Sequence, residues 1–308
     1  HRDLHSFPTR RSSDLLVENN NLNTHTQYLT EGTVYMFNPL EMQGYTTWQD
    51  MDIVIGQPDF TTINTTASQT IAAGANSSAI SSKGVLAVGA GYTNRVLIWT
   101  TLPENNGTPA NIVLGQNDFS ITTSGCSNWQ LDNPTNVAFS PDGNKLLVCD
   151  ADNNRVLIWN SIPTTNGQPA DVVIGQVDFT SYSSGCSASK LDYPTGVLVL
   201  PDGRLLITDN RNNRVLIFNK IPSTNGASAD VVIGQPDFTT YTSGYTANKL
   251  NKPWDCAYSP DGRLLISDNG NTSNGNHRIL IFNEVPTTNG ASADNVIGND
   301  TYSQIPAG

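Results

Sequence analysis

One stretch, DADNNRVLIWNSIPTTNGQPADVVIGQVDF at positions 150–179, returns lightly edited at 209–238. A weaker copy occupies 90–119, and a last one runs over 268–300, lengthened by an insertion and without its closing phenylalanine. The glycines of its V-I-G-Q signature fall at Gly56, Gly115, Gly175, Gly234 and Gly298, with spacings of 59, 60, 59 and 64 residues. A near-fixed period of this length specifies a repeat architecture, in which each unit completes its core only against its neighbours.

Within one unit four strands are predicted: A at 136–140 (NVAFS), B at 145–150 (KLLVCD), C at 155–160 (RVLIWN) and D at 171–176 (DVVIGQ). RVLIW and VVIG are near-continuous branched, aliphatic and aromatic runs, as strands covered on both faces require. Pro141-Asp142-Gly143 turns the chain between A and B and recurs at 201–203 and 260–262. Asn166-Gly167 lies between C and D and recurs as Asn106-Gly107, Asn225-Gly226 and Asn289-Gly290. Both are turn signals, since glycine tolerates the positive φ that tight turns demand. Helical periodicity appears nowhere over a useful length.

The shared text L-x-x-P-x-x-V/C, then P-D-G, L-L, D and R-V/I-L-I-W/F, spans 131–159, 191–218 and 250–282. It resembles the NHL-repeat family, bacterial members of which carry units of this length and commonly build six-bladed β-propellers. The resemblance implies an all-β fold of four-stranded antiparallel blades. Blades are expected at about 79–119, 131–179, 191–238 and 250–299, after a half blade at 33–60 that supplies only strands C and D. Residues 16–32 read as irregular. Four full blades and a half fall short of six, so the chain is expected to be a fragment of a six-bladed ring, open or poorly closed. Residues 1–15, HRDLHSFPTRRSSDL, match no repeat and resemble a translated sequencing adapter, so they are expected to lie outside the fold.

Composition narrows the partners. The formal charge is -11, and leaving out Arg2, Arg10 and Arg11 against Asp3 and Asp14 makes it -12. An acidic chain opposes nucleic-acid binding, which rests on clustered Lys and Arg. No apolar run approaches the roughly 18 residues of a membrane span. The four cysteines follow no C-x-x-C spacing. Cys126 and Cys186 occupy matching Ser-Gly-Cys-Ser sites on successive units, about 10 Å or more apart if sheets stack, so a disulfide would require their loops to lean together. Cys256 replaces Val137 and Val197 and reads as a small core residue.

Strand direction sorts the loops. The A–B and C–D turns share one end of the sheets; the B–C loops and the long D–A connections share the other, where a rigid scaffold would present ligand-binding loops. Asp150, Asp209 and Asp268 close strand B in three units and form the candidate metal set, a ring of carboxylates for a hard cation such as calcium. The local alternative is that each bonds its own loop or pairs with Arg155, Arg214 or Arg278, and repetition in every good unit favours it. In the second unit Ala90 removes the partner of Arg95. After the proline that opens a blade come Thr135, Thr195 and then Trp254, a break in symmetry of the kind a specific site needs. Trp254, Asp255, Asn136 and Tyr193 are the candidate ligand-binding residues, lining a groove, with Trp254 alternatively only capping the channel.

Catalysis has little to draw on. His1 and His5 belong to the leader, leaving His25 and His277. The resemblance extends to lyases that hold zinc through several histidines, a set this chain does not supply. The sequence therefore points to a non-enzymatic scaffold, extracellular or at the cell surface, that presents loops to a protein or glycan without a cofactor. A metal-dependent lyase or lactonase-like hydrolase using channel-facing carboxylates is the alternative, and RNA binding the third reading.

Overall fold

The computed structural model describes residues 51–270 and 276–298 in full, together with the strands at 17–19, 24–29 and 33–36. The leader, most of the insertion at 271–275 and the segment after 298 lie outside the described residues. Five sheets of four antiparallel strands follow one another along the chain, each a simple meander. The first contains β1 (Val17–Asn19), β2 (Thr24–Leu29), β3 (Thr33–Met36) and β4 (Ile53–Ile55). The second contains β5 (Ala75–Ile80), β6 (Leu86–Ala90), β7 (Arg95–Trp99) and β8 (Ile112–Leu114). The third contains β9 (Pro134–Phe139), β10 (Leu146–Asp150), β11 (Arg155–Trp159) and β12 (Val172–Ile174). The fourth contains β13 (Pro194–Val199), β14 (Leu205–Asp209), β15 (Arg214–Phe218) and β16 (Val231–Ile233). The fifth contains β17 (Pro253–Tyr258), β18 (Leu264–Asp268), β19 (Arg278–Phe282) and β20 (Asn295–Ile297).

One expectation is corrected. The half blade at 33–60 is a four-stranded sheet, because β1 and β2 from the supposedly irregular 16–32 pair with it in register Val17↔Thr26 and Gln27↔Tyr35. Polar strands hid there: THTQYL alternates β-branched or aromatic residues with others, but lacks the Leu-Leu that marks strand B elsewhere.

The apolar runs are continuous because both faces of the inner strands are covered. Every residue of β10, β11, β14 and β15 is buried. Each core straddles two successive sheets. Val96, Ile98 and Leu114 of the second sheet meet Val137, Val148 and Trp159 of the third. The third meets the fourth through Leu147, Val156 and Ile174 against Ile207, Leu216 and Phe218. The fourth meets the fifth through Leu206, Val215 and Ile233 against Ile266, Leu280 and Phe282. First strands approach one another, β5 to β9 to β13 to β17, so they line the centre and the fourth strands form the rim. The sheets are blades of a β-propeller.

The Asn-Gly pairs do more than turn the chain. The fourth strand of each blade is an edge whose middle residue points its N–H and C=O outward. Asn166 Oδ1 accepts the N–H of Val113 at 3.0 Å, and Gly167 N–H donates to the Val113 carbonyl at 2.9 Å. Asn106 does the same for Val54, Asn225 for Val173 and Asn289 for Val232. Each unit thereby latches the rim strand of the unit before it and caps an edge that would otherwise be free. Asn225→Ala should cost about 1–2 kcal/mol, since it leaves the Val173 N–H without its partner. A urea titration checks this; an unchanged midpoint would show that the latch is not used.

Candidate functional site

The three aspartates at the ends of β10, β14 and β18 are buried. Asp150 Oδ2 lies 2.7 Å from Arg155 Nε, Asp209 Oδ2 2.7 Å from Arg214 Nε and Asp268 Oδ2 2.8 Å from Arg278 Nε. Their remaining lone pairs are also engaged. Asp209 Oδ1 accepts the N–H of Asp192 at 2.7 Å, and Oδ2 also accepts Asn212 Nδ2 at 2.8 Å. Asp150 is held in the same way by Asp132 and Asn153, and Asp268 by Asn251 and Asn276. Burial pushes each carboxyl above its usual range, while the guanidinium and N–H donors pull it back. A cation would have to displace donors that already fill the site. Each guanidinium goes on to backbone carbonyls, Arg214 to Phe238, Ser187 and Lys190. The pair thus ties strands B and C to the loops that precede and follow the blade.

Arg95 lacks that partner and solves the problem with neutral acceptors. It bonds Thr93 Oγ1 at 3.1 Å, the Ile71 carbonyl at 2.5 Å and the Phe119 carbonyl. Burial without a counter-charge lowers its pKa to about 10, so it still carries its charge at neutral pH. Among the described residues no group of three or more His, Cys, Asp or Glu side chains is placed to hold a metal ion.

The candidate groove residues separate into three environments. Asn136 of β9 and Asp255 of β17 meet directly, Nδ2 to Oδ2 at 3.2 Å, across the whole intervening blade. Gly196 of β13 makes the space: a Cβ there would stand 2.5 Å from Asp255 Oδ1 and 3.0 Å from its Cα. Asn136 also accepts the Val197 N–H at 3.4 Å, so the three blades are joined at one point of the centre. Asp255 Oδ1 accepts the Cys256 N–H at 2.8 Å. The residue is half-buried at the inner end of β17. Desolvation by the surrounding protein pushes its carboxyl up to about 7, against the pull of Cys256 N–H and Asn136.

Unfolded, Asp255 titrates near about 4; folded, it keeps its proton to about 7. The stability this provides is complete below the unfolded pKa and is lost as pH rises through the folded one. Asp255→Asn cannot ionise, so its melting temperature should gain on that of the parent between pH 4.5 and 7.5, roughly the window between those two pKa values. Parallel curves across that window would mean the carboxyl is ionised throughout.

Trp254 is adjacent in sequence but is 45% exposed. Thr135 and Thr195, at its position in the preceding blades, are buried and bond the proline carbonyl of the next blade, Pro194 at 3.0 Å and Pro253 at 3.4 Å. Tyr193 sits in the turn before β13 with φ 58°, a left-handed conformation it shares with Asn133 and Lys252 at the same point of neighbouring units. Its hydroxyl accepts Asn133 Nδ2 at 3.1 Å, and the Arg211 guanidinium lies 4.2 Å from its ring centroid.

The end of the sheets that carries these residues is stiffened by side chains that the sequence did not single out. Asn154 accepts the Tyr193 N–H at 2.8 Å and donates to the Tyr182 carbonyl at 2.9 Å. Asn94 and Asn213 repeat the pattern. Gln176 of V-I-G-Q donates to the carbonyls of Asn154 and Ser183, clamping the B–C loop to the D–A connection. Asp178 accepts the N–H groups of Thr180 and Ser181, and hydrogen bonds from these two residues bring its pKa down to about 2. From these rigid loops project Tyr92, Tyr182 and Tyr241, each more than 60% exposed. Cys126 and Cys186 are free thiols, each directed at carbonyls of the following D–A connection. Cys256 is buried in the core between the fourth and fifth blades.

Two repeat models agree with the architecture. The sequence model of the NHL repeat matches residues 191–218, and that of the WD domain, G-beta repeat, matches 123–160. Both fall on blades, and together they are consistent with an NHL-repeat β-propeller. No curated protein matches the chain. Among solved structures, a chain of the mitotic checkpoint complex is similar at 11% identity and TM-score 0.46, covering 91% of this chain and 63% of that one. A chain of Kuenenia stuttgartiensis hydrazine synthase is similar at 16% identity and TM-score 0.40, covering 68% of this chain and 46% of that one. The protein therefore spans less than two thirds of either. Among the described residues no helix is long and apolar enough to cross a membrane.

Proposed function

We propose that this chain is a non-enzymatic binding scaffold, outside the cell or at its surface, that presents the B–C and D–A loops to a protein or a glycan. The observation that carries the reading is the set of exposed aromatics at that one end, Tyr92, Tyr182, Tyr241 and Trp254. Aromatic side chains offer large contact area at small entropic cost, and their faces stack on sugar rings or apolar side chains. Loops already fixed by Asn, Gln and Asp side chains lose little further freedom on binding. Repeat propellers commonly serve as protein-interaction scaffolds, and a Thr-, Ser- and Asn-rich surface suits an exterior location. The reading needs no cofactor and no nucleic acid.

The test is calorimetric titration with soluble oligosaccharides and extracellular proteins. Saturable binding is expected, weakened at least about tenfold, or about 1.4 kcal/mol, by Tyr182→Ala combined with Tyr241→Ala while the melting temperature holds. Binding indifferent to both tyrosines, or metal-dependent turnover of a lactone, would overturn it.

A further inference from the structure

The long connections that lead from one blade to the next are not alike. At matching points they carry Ile63 and Ile71, then Thr122 and Gln130, then Tyr182 and Lys190, then Tyr241 and Lys249. Tyrosine and lysine arrive together, twice, and are absent together, twice. Closing the connection does not require the lysine. Gln116, with no lysine in its connection, bonds the same two backbone carbonyls as Gln176 and Gln235 do in theirs.

Each lysine is nevertheless held in a defined place. Lys190 Nζ donates to Gln176 Oε1 at 3.0 Å and to Ser183 Oγ at 3.3 Å. Lys249 Nζ donates to Gln235 Oε1 at 3.2 Å and to Thr242 Oγ1 at 2.9 Å. Both glutamines are buried and spend their amide N–H groups on carbonyls, so the oxygen is the end that meets the ammonium. The lysine stems cross glycines: a Cβ on Gly185 would stand 3.3 Å from Lys190 Cγ, and one on Gly244 3.1 Å from Lys249 Cγ. The hydroxyls they reach belong to the residues next to the exposed Tyr182 and Tyr241. Among the described residues neither ammonium takes part in an ion pair, although the chain carries a formal charge of -11. Two of its three N–H donors go to neutral oxygens, and the third is left for a ligand.

We infer that these two connections form a binding surface for a carboxylate-bearing polysaccharide of the uronic acid class. Each tyrosine stacks on a sugar ring, and the lysine of the same connection donates to that ring's carboxylate. The inference rests on the scaffold reading above and narrows its ligand. An aromatic face suits a sugar ring, and a charge-assisted hydrogen bond suits a carboxylate. Two such pairs on successive connections suit a polymer that repeats both features, with one ammonium per tyrosine matching one carboxylate per ring. A polysulfate, with more charge per ring, meets the repulsion of an acidic chain. An acidic peptide offers carboxylates without the rings.

The experiment titrates the protein calorimetrically with an oligogalacturonate and with its methyl ester, which keeps the rings and linkages and removes the charges. The acid is expected to bind at least about tenfold more tightly than the ester, a margin of about 1.4 kcal/mol, and the margin should shrink as salt is added. Lys190→Gln combined with Lys249→Gln should abolish that preference at an unchanged melting temperature. Glutamine is tolerated there because Gln130 already fills the place in the preceding connection, its amide lying over Gly125. Equal binding of acid and ester, or a preference that survives both lysine substitutions, would overturn the inference. The scaffold reading would still stand if that binding depended on Tyr182 and Tyr241. Binding of neither sugar would also overturn the inference and leave the scaffold reading with its protein ligands alone. A polyglutamate bound as tightly as the oligogalacturonate, and as sensitive to the lysines, would assign the surface to an acidic protein and overturn it likewise.

Discussion

Asp209→Ala should destabilise the protein by about 3–5 kcal/mol, because it leaves the Arg214 guanidinium buried without its counter-charge. Both side chains are fully inaccessible, 2.7 Å apart, and the carboxylate also satisfies the Asp192 N–H and Asn212 Nδ2. Alanine therefore strands three donors at once. Asn is no remedy, since the NH2 end of its amide would face a donor in either orientation, Arg214 Nε or the Asp192 N–H. The second blade shows how an arginine without a carboxylate is accommodated, with Thr93 in the place of Asn212 and one carbonyl accepting from each terminal guanidinium nitrogen. That arrangement predicts that the loss in Asp209→Ala is partly recovered by adding Asn212→Thr. Urea unfolding of the single and double variants measures both terms. A loss below about 1 kcal/mol in the single variant would place the pair among exposed ion pairs, in contradiction to its burial.

Trp159→Ala is the second large effect, expected at about 3–5 kcal/mol and a fall in Tm of about 10 °C. Trp159 is fully buried between the second and third blades, among Leu131, Val137, Leu146 and Leu157. Its Nε1–H donates to the Gln168 carbonyl at 2.9 Å, fastening the connection that carries the Asn166 latch. The truncation thus opens a cavity in the interface and loosens the latch that holds Val113. Trp159→Phe separates the two contributions: Phe218 and Phe282 fill the same place in the last two blades without the N–H. A cost for phenylalanine of about 1–2 kcal/mol is expected, the worth of one hydrogen bond plus the volume difference.

Much of this fold was written in the local chemistry of the chain. RVLIW and LLVCD can only be strands with both faces covered, and Pro-Asp-Gly can only turn. The Asp–Arg pairing was also legible, because a residue closing strand B lies opposite the one opening strand C, Asp150 against Arg155. What stayed hidden was partnership between units. Asn-Gly reads as a turn from its own neighbours, and its use on Val113 or Val173 exists only once two blades are stacked. The fixed distance from each Asn-Gly to its rim strand was the signal, since a turn alone has no reason to keep it. The meeting of Asn136 and Asp255 was half legible. Both were singled out, but the reason they touch is the missing side chain of Gly196, a residue between them in the ring and far from either in sequence. Trp254 broke the symmetry of its position, and the structure adds that it is exposed where Thr135 and Thr195 are buried. The first two strands of the first blade escaped notice because β1 and β2 carry Asn, Thr and Gln where the other blades carry Leu.

The stacking of units is tested most directly at the middle amides of the rim strands. Val54, Val113, Val173 and Val232 have outward-facing N–H groups that their own sheets do not use, so any protection must come from the neighbouring unit. Site-resolved hydrogen exchange under native conditions should find all four slow, with Val173 alone accelerating in Asn225→Ala. Exchange at the rate of an open edge strand in the parent protein would contradict the account.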